Sequence, residues 1–295
     1  MIRVLTIIVS YNFTKWIDKC LPSLISSAYP TDVLVVDNHS LDDTVSLLQS
    51  GYPSVTVIAN QQNLGFGQAN NIGIRWAEEK HYDSVLLLNQ DAWVDADTIG
   101  SLVAAGLHHS EYGIISPVHL SGDRSKLDHG FSEYTGISGL SMLPGDDIVT
   151  APFINAAVWY IPMSVIQKVG MFAPLFYHYG EDKDYANRIR YYGYKIGYLP
   201  KAFACHDREF RKVQRKDFVR AERVYHLSEY ANINYSFVKA FSLGVLALLK
   251  KSILSLIHGK FSNFVVHLKL AFVLLGRTSQ VLRTRSQSKQ VKEIV

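Results

Sequence analysis

Short apolar segments alternate with segments of helical periodicity over the first hundred residues. The apolar segments predict four buried strands, at Arg3–Tyr11, Thr31–Val36, Ser54–Ala59 and Ser84–Asn89. The segments between them predict three helices, at Thr14–Ala28, Leu41–Ser50 and Gly65–Lys80. Because near-continuous apolar strands joined by helices are typical of parallel sheets with crossover connections, this pattern predicts an α/β fold.

The following part of the chain is less regular. Strand patterns recur at Phe153–Pro162 and Lys195–Ala204, and helical patterns recur at Met163–Val169 and Glu181–Tyr192. Residues 118–150 are rich in Gly, Ser and Asp, which leaves two interpretations open, short antiparallel strands or a mobile loop.

Polar residues follow each of the four predicted strands. They are Tyr11-Asn12, Asp37-Asn38, Asn60–Asn63 and Asn89–Asp91. Ligands of open parallel sheets bind at the carboxyl ends of the strands, so these residues form a candidate crevice. Asp37 and Asn38 offer an acceptor and an amide that suit a base or a ribose, and Asp91 suits a hard divalent cation. Helix capping by Ser40 or Asp42 is the structural alternative for Ser40 to Asp43, although it does not explain Asp37. An Asx turn is the structural alternative for Asp91.

The segment Asn60–Gly73 contains glycines at the predicted start of a helix. The spacing Gly65-x-Gly67-x-x-Asn70 imitates a dinucleotide fingerprint, but it lacks the third glycine and follows the third strand instead of the first. A helix N-terminus that faces a phosphate or a base is one interpretation, and a capped turn is the other.

Three carboxylates crowd the first turn of a predicted helix, at Glu181, Asp182 and Asp184. Acidic residues favour helix N-termini, and Asp184 can pair with Arg188 four residues later, so a structural role is one interpretation. The other is a general base, because neighbouring carboxylates in a partly buried crevice raise one pKa. His206 follows the next strand, where a neutral imidazole can bind a metal or serve the core.

Composition and charge narrow the class of protein. The chain has 295 residues, 48% hydrophobic and 19% charged, which is typical of a folded globular protein. Its two cysteines, Cys20 and Cys205, exclude a disulfide scaffold and indicate a reducing compartment. The N-terminus predicts a first strand and not a signal peptide.

The net charge of +4 hides an asymmetry. Residues 236–295 contain ten basic and one acidic residue, whereas residues 1–235 contain 20 basic and 25 acidic residues. Lysines interrupt the apolar runs of this tail, and the longest uncharged run, Ala240–Leu249, has ten residues. That is short of the roughly 20 residues needed to span a bilayer, so we expect helices in the membrane interface. Packing on the body or at a dimer interface is the alternative.

Taken together, these motifs resemble the family 2 glycosyltransferases with the GT-A fold, and among them the bacterial rhamnosyltransferase-like members. The resemblance covers roughly residues 3–206. It rests on IIVSYN, VVDNHSLDDT, NQQNLGFGQANNIGI, LLLNQDAWV, residues 154–200 and ACH, in this order. It implies a Rossmann-like, mostly parallel sheet flanked by helices, with a helical C-terminal extension. We expect a catalytic domain over 1–215 and a membrane-associating extension over 216–295.

The resemblance also implies residue roles. Asp182 would be the catalytic base within the Glu181-Asp182 pair, and Asp91 and His206 would bind Mg²⁺ or Mn²⁺ on the donor diphosphate. Asn89 stands where the family's D-x-D element has its first carboxylate, which gives the N-x-D form and one anionic ligand fewer. The nucleotide-sugar would be held by a larger set, namely Tyr11, Asp37, Asn38, Asn63, Gly65, Asn71 and Asn89.

The implied function is an inverting transfer of a sugar, rhamnose among the candidates, from a UDP- or dTDP-sugar to a hydroxyl of a glycan acceptor. A polyprenyl-diphosphate-linked acceptor, surface polysaccharide synthesis and a peripheral position on the cytoplasmic face of the inner membrane are expected. A non-catalytic, membrane-docked nucleotide-sugar-binding subunit is the alternative. No nucleic-acid partner is expected, because the long apolar runs of the basic tail suit lipid better. A homo-oligomer is left open.

Overall fold

A computed structural model of the chain describes residues 1–145, 147–208 and 214–290. These residues contain nine strands in one sheet: β1 Val4–Ser10, β2 Asp32–Asp37, β3 Thr56–Ala59, β4 Ser84–Asn89, β5 Ala92–Val94, β6 Tyr112–Ser121, β7 Val149–Thr150, β8 Val158–Pro162 and β9 Lys195–His206. Seven helices accompany the sheet: α1 Ile17–Ile25, α2 Thr44–Gly51, α3 Phe66–Glu79, α4 Thr98–His108, α5 His129–Thr135, α6 Met163–Val169 and α7 Glu181–Tyr191.

The strands β3, β2, β1 and β4 form a parallel half-sheet in that order. Their register aligns Ser10 with Asp37, Asp37 with Ala59, and Val9 with Asn89, so the polar strand ends lie along one edge. The predicted parallel sheet with crossover helices is therefore confirmed for this half of the molecule.

The other half of the sheet is mixed. β8 runs antiparallel to β4 and β6, β6 runs parallel to β9, and β5 and β7 pair antiparallel with β9. The predicted α/β class is thus confirmed, with a mixed sheet overall. No strand is predicted over β6, which contains Pro117 beside a register shift in its pairing with β9. Residues 118–150 contain the end of β6, helix α5 and the short antiparallel strand β7.

Helices cover both faces of the sheet and create two apolar layers. One layer contains Ile7, Leu87, Trp159 and Tyr185, and the other contains Ile8, Leu21, Leu88 and Leu102. Successive strand residues such as Ile7 and Ile8 belong to opposite layers, as the two-residue period of a strand requires. Because the sheet is buried on both faces, its open edge at the strand ends is where polar chemistry can gather.

Five helices follow the sheet: α8 Arg215–Ala231, α9 Phe237–Phe241, α10 Ala247–Ile257, α11 Phe261–Gly276 and α12 Thr278–Gln287. A third apolar cluster joins them to the body, with Phe176 of the body packed among Leu227, Tyr230, Leu248 and Leu274. A helical extension is therefore confirmed, whereas the division of the chain at residue 215 stays a prediction.

A π-helical turn, Ser242–Leu246, connects α9 and α10 into one helix. The continuous helix Phe237–Ile257 has 21 residues and enough apolar character to cross a membrane by length and composition, with 33% of its apolar window buried. The ten-residue uncharged run did not predict a helix of this length, because Lys239, Lys250 and Lys251 interrupt the uncharged run without interrupting the helix. The pair α11 and α12, bent by 57°, meets the same criterion if it is counted as one span.

Candidate active site

The end of β2 holds a fixed carboxylate. Asp37 is buried, and it accepts hydrogen bonds from the Ser10 hydroxyl at 2.8 Å and from the backbone N–H and hydroxyl of Ser40 at 2.9 and 2.5 Å. Beside it, the exposed Tyr11 is held through its backbone, which exchanges two hydrogen bonds with the Gln90 side chain. The predicted donor residues Tyr11 and Asp37 therefore lie on one edge, where Asp37 is fixed by hydrogen bonds and the Tyr11 ring is exposed.

An amide network shapes the neighbouring loop. Asn38 donates to Asn63 Oδ1 at 2.9 Å, and its own Oδ1 accepts from the Leu64 N–H at 2.8 Å and from Asn60. Asn63 Oδ1 also accepts from the Gly65 N–H at 2.9 Å. The structure thus brings the predicted residues Asn38, Asn63 and Gly65 together, but their polar atoms first serve the loop.

Two contacts tie this loop to the segment before α7. Gly65 has φ +78°, and a Cβ there would lie 1.8 Å from the Tyr177 carbonyl oxygen, so only glycine fits. Asn71 exchanges two hydrogen bonds of 2.9 Å with the backbone of Phe172. The predicted donor contact of Asn71 stays a prediction. Both polar atoms of the Asn71 side chain form hydrogen bonds with Phe172.

The ends of β4 and β9 bring the predicted metal ligands together. β5 pairs with β9 opposite His206, and the Asp207 N–H donates to the Asp91 carbonyl at 2.8 Å. As a result, His206 Nε2 lies 3.4 Å from Asp91 Oδ1 and 3.4 Å from Asn89 Nδ2. Burial disfavours a charged His206, but the carboxylates of Asp128 and Asp91 outweigh it and raise the pKa of the imidazole.

Sequence reasoning missed Asp128, which lies on the far side of the same imidazole. Its Oδ2 is 3.6 Å from His206 Nδ1 and 3.2 Å from Arg208 Nε, and it also caps α5. Although Asp128 is buried, His206 and Arg208 lower the pKa of its carboxyl to about 2. Asp128 belongs to the irregular region 118–150, and its only sequence signal is an acidic residue before a short helix.

The Asp91–His206 pair suits a divalent ion. A carboxylate oxygen and an imidazole nitrogen 3.4 Å apart are too far for a strong hydrogen bond, yet close enough to share an ion at about 2.0–2.2 Å from each. Within the described parts of the chain, no group of three or more His, Cys, Asp or Glu side chains has metal-binding geometry. Mg²⁺ is usually held by one or two protein groups plus phosphate oxygens and water, so two ligands fit that mode.

The two predicted catalytic carboxylates differ in their surroundings. Glu181 is buried, Oε2 has no hydrogen-bond partner, and burial together with the Asp182 charge raises the pKa of its carboxyl to about 7. Asp182 is more accessible and accepts from the Lys183 N–H at 2.8 Å, while burial raises its pKa as well. Asp184 instead pairs with Arg188 at 2.9 Å in the interior, which is the structural role expected for it.

The three clusters adjoin one another. A Cβ on Gly67, in the first turn of α3, would lie 3.4 Å from Glu181 Cβ. The loop before α3, which carries Asn63 and Gly65 and is called the donor loop below, therefore borders the Glu181-Asp182 pair. The Arg208 guanidinium contacts Asp128 and His206, and its charge lowers the pKa of Asp182 against the larger effect of burial. The crevice therefore brings together the predicted nucleoside residues, a carboxylate–imidazole pair that suits a cation, and two carboxyls whose pKa values are raised.

Comparison with known proteins identifies the family. The model of glycosyl transferase family 2 matches residues 6–156, just over half of the chain, and the chain therefore belongs to this family. It is a glycosyltransferase of polysaccharide synthesis with a GT-A fold. N-acetylglucosaminyl-diphospho-decaprenol L-rhamnosyltransferase of Mycobacterium tuberculosis (strain H37Rv) is 24% identical over 231 residues, which cover 67% of this chain and 74% of the relative.

Solved structures agree on the fold. A mannosyltransferase from Pyrobaculum calidifontis in complex with GDP-Man and Mn²⁺ has a TM-score of 0.58 at 18% identity and covers 97% of this chain and 83% of its own. S. aureus TarS has a TM-score of 0.57 at 18% identity, over 84% of this chain and 43% of that longer protein. A structure of TarS residues 1–349 in complex with UDP-GlcNAc has a TM-score of 0.54 at 18% identity. The match covers 98% of this chain and 82% of that structure.

Proposed function

We propose that the protein is an inverting, metal-dependent transferase that moves a sugar, with rhamnose as the first candidate, from a UDP- or dTDP-sugar to a hydroxyl of a polyprenyl-diphosphate-linked glycan. The observation that carries the proposal is the meeting of Asp91 and His206 at 3.4 Å beside the donor edge. The relative from Mycobacterium tuberculosis, whose name gives a rhamnosyl transfer to a diphospho-decaprenol acceptor, supports the choice of sugar and acceptor.

The donor would lie along the edge of the parallel half-sheet. Asp37 and Asn38 would face the nucleoside, with the Tyr11 ring beside it, and Asn63 and Gly65 would shape the loop that receives it. Asp91 and His206 would hold a divalent metal, with Asn89 beside them, and the metal would neutralise charge on the diphosphate leaving group. The solved neighbours with bound UDP-GlcNAc or with GDP-Man and Mn²⁺ support this arrangement.

Asp182 would act as the general base. It takes the proton from the acceptor hydroxyl while the hydroxyl oxygen bonds to C1 of the sugar and the bond from C1 to the diphosphate oxygen breaks, which inverts the configuration at C1. Burial and the Asp182 charge raise the pKa of Glu181 to about 7, so a large share of its carboxyl stays protonated near neutral pH. Only one of the two adjacent carboxylates then has to be ionised, which leaves the more accessible Asp182 as the base.

The C-terminal helices would dock on the cytoplasmic face of the membrane. Ile253, Leu256, Ile257, Phe261 and Phe272 are exposed on them, amid a tail with ten basic residues and one acidic residue. A docked orientation is favoured over a span, because Lys250 and Lys251 lie within the candidate spanning helix and each would cost about 2.5–3.5 kcal/mol at a bilayer centre.

Asp182→Asn tests the proposed base. The variant keeps the shape of the side chain but cannot take a proton, so we expect turnover to fall by about 10²–10⁴-fold with the donor dissociation constant unchanged. The measurement is sugar transfer to a lipid-linked acceptor together with donor binding by titration. Asp184→Asn is unsuitable as a control because that carboxylate is buried, so the exposed Asp43→Asn serves instead. Unchanged turnover in Asp182→Asn would remove this residue from the mechanism.

A further inference from the structure

The segment Phe176–Gly180 leads directly into the catalytic pair and carries unusual exposure. Tyr177 and Tyr179 are 61% and 46% exposed, and Tyr179 has φ +67°, which a bulky residue rarely adopts. Tyr177 is committed to the donor loop, because its hydroxyl donates to the Asn63 carbonyl at 3.0 Å. Tyr179 has no such bond in the described structure, and its ring lies partly exposed three positions before Asp182.

Helix α8 places two arginines against this segment. The Arg220 guanidinium carbon is 4.5 Å from the centre of the Tyr179 ring, and the His178 ring is 4.2 Å from the same ring. Val224, on the same side of α8, contacts Gly180, since a Cβ built there would lie 3.2 Å from Val224 Cγ1. Arg223 is three residues after Arg220, so both occupy the helix face that meets the segment.

Electrostatics agree with this placement. Burial lowers the pKa of His178, and the positive charges of Arg220 and Arg223 lower it further. Both guanidinium groups therefore act on the same point beside Tyr179. We call His178, Tyr179, Arg220 and Arg223 the arginine–aromatic patch.

The patch lies between the catalytic carboxylates and the basic C-terminal helices. Further along α8, Leu227 and Tyr230 pack into the apolar cluster that contains Leu248 and Leu274 of those helices. One end of α8 thus borders the catalytic segment, and the other end is anchored in the helices with the exposed apolar surface.

We propose that the arginine–aromatic patch is the acceptor subsite, where Arg220 and Arg223 bind the diphosphate of the lipid-linked acceptor and Tyr179 stacks on its first sugar. This inference rests on the proposed function. Arginine binds phosphate oxygens through two parallel hydrogen bonds, and an exposed ring offers a flat apolar surface to a sugar face. Asp217, whose Oδ1 is 2.6 Å from Arg220 Nη2, holds that guanidinium in place.

The position of the patch also limits the size of the acceptor. Tyr179 and Asp182 are three positions apart in the sequence, and an extended chain spans at most about 3.3–3.6 Å per residue, so their Cα atoms lie within about 11 Å of each other. With the first sugar on Tyr179, that distance leaves room for one or two sugar units before the attacked hydroxyl. The enzyme would therefore act early in assembly, after the reaction that places the first sugar on the lipid diphosphate.

Direct binding tests the subsite without relying on turnover. The probe is N-acetylglucosaminyl diphosphate on a short prenyl chain, titrated in the presence of nucleoside diphosphate and Mn²⁺. The test variant is Arg220→Ala with Arg223→Ala, and the matched control is Arg215→Ala on the same helix, whose guanidinium bonds Asn263 instead. We expect the double variant to lose about tenfold or more in affinity for the probe, as charge-assisted hydrogen bonds to phosphate predict, and the control to bind as the wild type does.

Two further measurements separate the possible outcomes. Thermal stabilisation by nucleotide reports the donor site alone. A wild type that no nucleotide stabilises would contradict the proposed function, and the affinity for the acceptor probe would then be judged separately. Sedimentation with anionic vesicles reports lipid headgroups, and we expect no change in the double variant. Unaltered probe affinity, or a loss confined to vesicle binding, would overturn the acceptor subsite.

Discussion

The two edges of the crevice are built in opposite ways. We call them the donor edge and the catalytic edge, after the roles proposed above. At the donor edge, the polar atoms of Asp37, Asn38 and Asn63 are consumed by hydrogen bonds within the loops. At the catalytic edge, Glu181 Oε2 has no partner, and Asp91 and His206 are 3.4 Å apart. Satisfied polar groups rigidify a loop, whereas unsatisfied buried groups store free energy that a bound cation or proton can recover.

The difference separates two uses of the same residue types. The amides and the carboxylate at the donor edge are held in hydrogen bonds that give the loops their shape. Carboxylates and imidazole at the catalytic edge give charge, and their environment sets how many protons they hold. Substitutions at the donor edge should therefore change the free energy of unfolding. Substitutions at the catalytic edge should change how stability depends on pH, or how nucleotide binding depends on metal.

Gly65→Ala should have the largest effect on stability at the donor edge. Its Cβ would lie 1.8 Å from the Tyr177 carbonyl oxygen in a backbone with φ +78°, so we expect a loss of about 3 kcal/mol or more. Gly51→Ala is the control, because nothing lies within 4 Å of a Cβ there. Denaturant unfolding of both variants measures the difference, and equal stability would contradict the tight contact between the donor loop and the catalytic segment.

The stability losses of Asn71→Ala and Asn89→Ala compare a side chain held by buried hydrogen bonds with one that has a single long contact. Loss of the two buried hydrogen bonds to Phe172 should cost about 2 kcal/mol of unfolding free energy, since backbone groups are left unpaired. The half-buried Asn89 makes one long contact, of 3.4 Å, with His206, so its replacement should cost less than about 0.5 kcal/mol. If both variants unfold at the wild-type denaturant concentration, the structural role given to Asn71 is wrong.

Glu181→Gln should change the pH dependence of stability. In the native state the pKa of Glu181 is raised from 4.5 to about 7, so the native state binds more protons than the unfolded state between these values. The wild type should then lose stability as the pH rises from about 4.5 to about 7, and the variant should lack this decline. From about pH 4.5 to about pH 7, the unfolding free energy of the wild type should fall by about 2 kcal/mol more than that of the variant. Parallel curves for the two proteins would contradict a neutral buried Glu181.

Much of the fold could be predicted because its first half is locally consistent. The strands β1 to β4 are apolar, and α2 and α3 begin directly after Asp43 and Gly65, so periodicity predicts these elements within a few residues. Strand β6 could not be predicted, since Pro117 and His119 interrupt its pattern and only pairing with β8 and β9 stabilises it.

The candidate site was partly predictable for the same reason. Asp37 and His206 are the last residues of β2 and β9, and Asp91 lies between β4 and β5, so the sheet brings their side chains to one edge. Asp128 and Arg208 could not be found this way, because their contacts with His206 depend on how an irregular segment folds back over the end of β9. Nor could the commitment of Asn71 to Phe172 be predicted, because that contact joins residues 101 positions apart.

The most direct test of the central claim is thermal stabilisation by UDP, dTDP, GDP and ADP, each with and without Mn²⁺ or Mg²⁺, in the wild type, Asp91→Ala and His206→Ala. A ligand at a hundred times its dissociation constant adds about 2.7 kcal/mol to stability. The account predicts a shift with UDP or dTDP that needs the metal in the wild type and loses this dependence in both variants. A wild type that responds to no nucleotide, or variants with an undiminished metal-dependent shift, would contradict the metal–diphosphate site at Asp91 and His206.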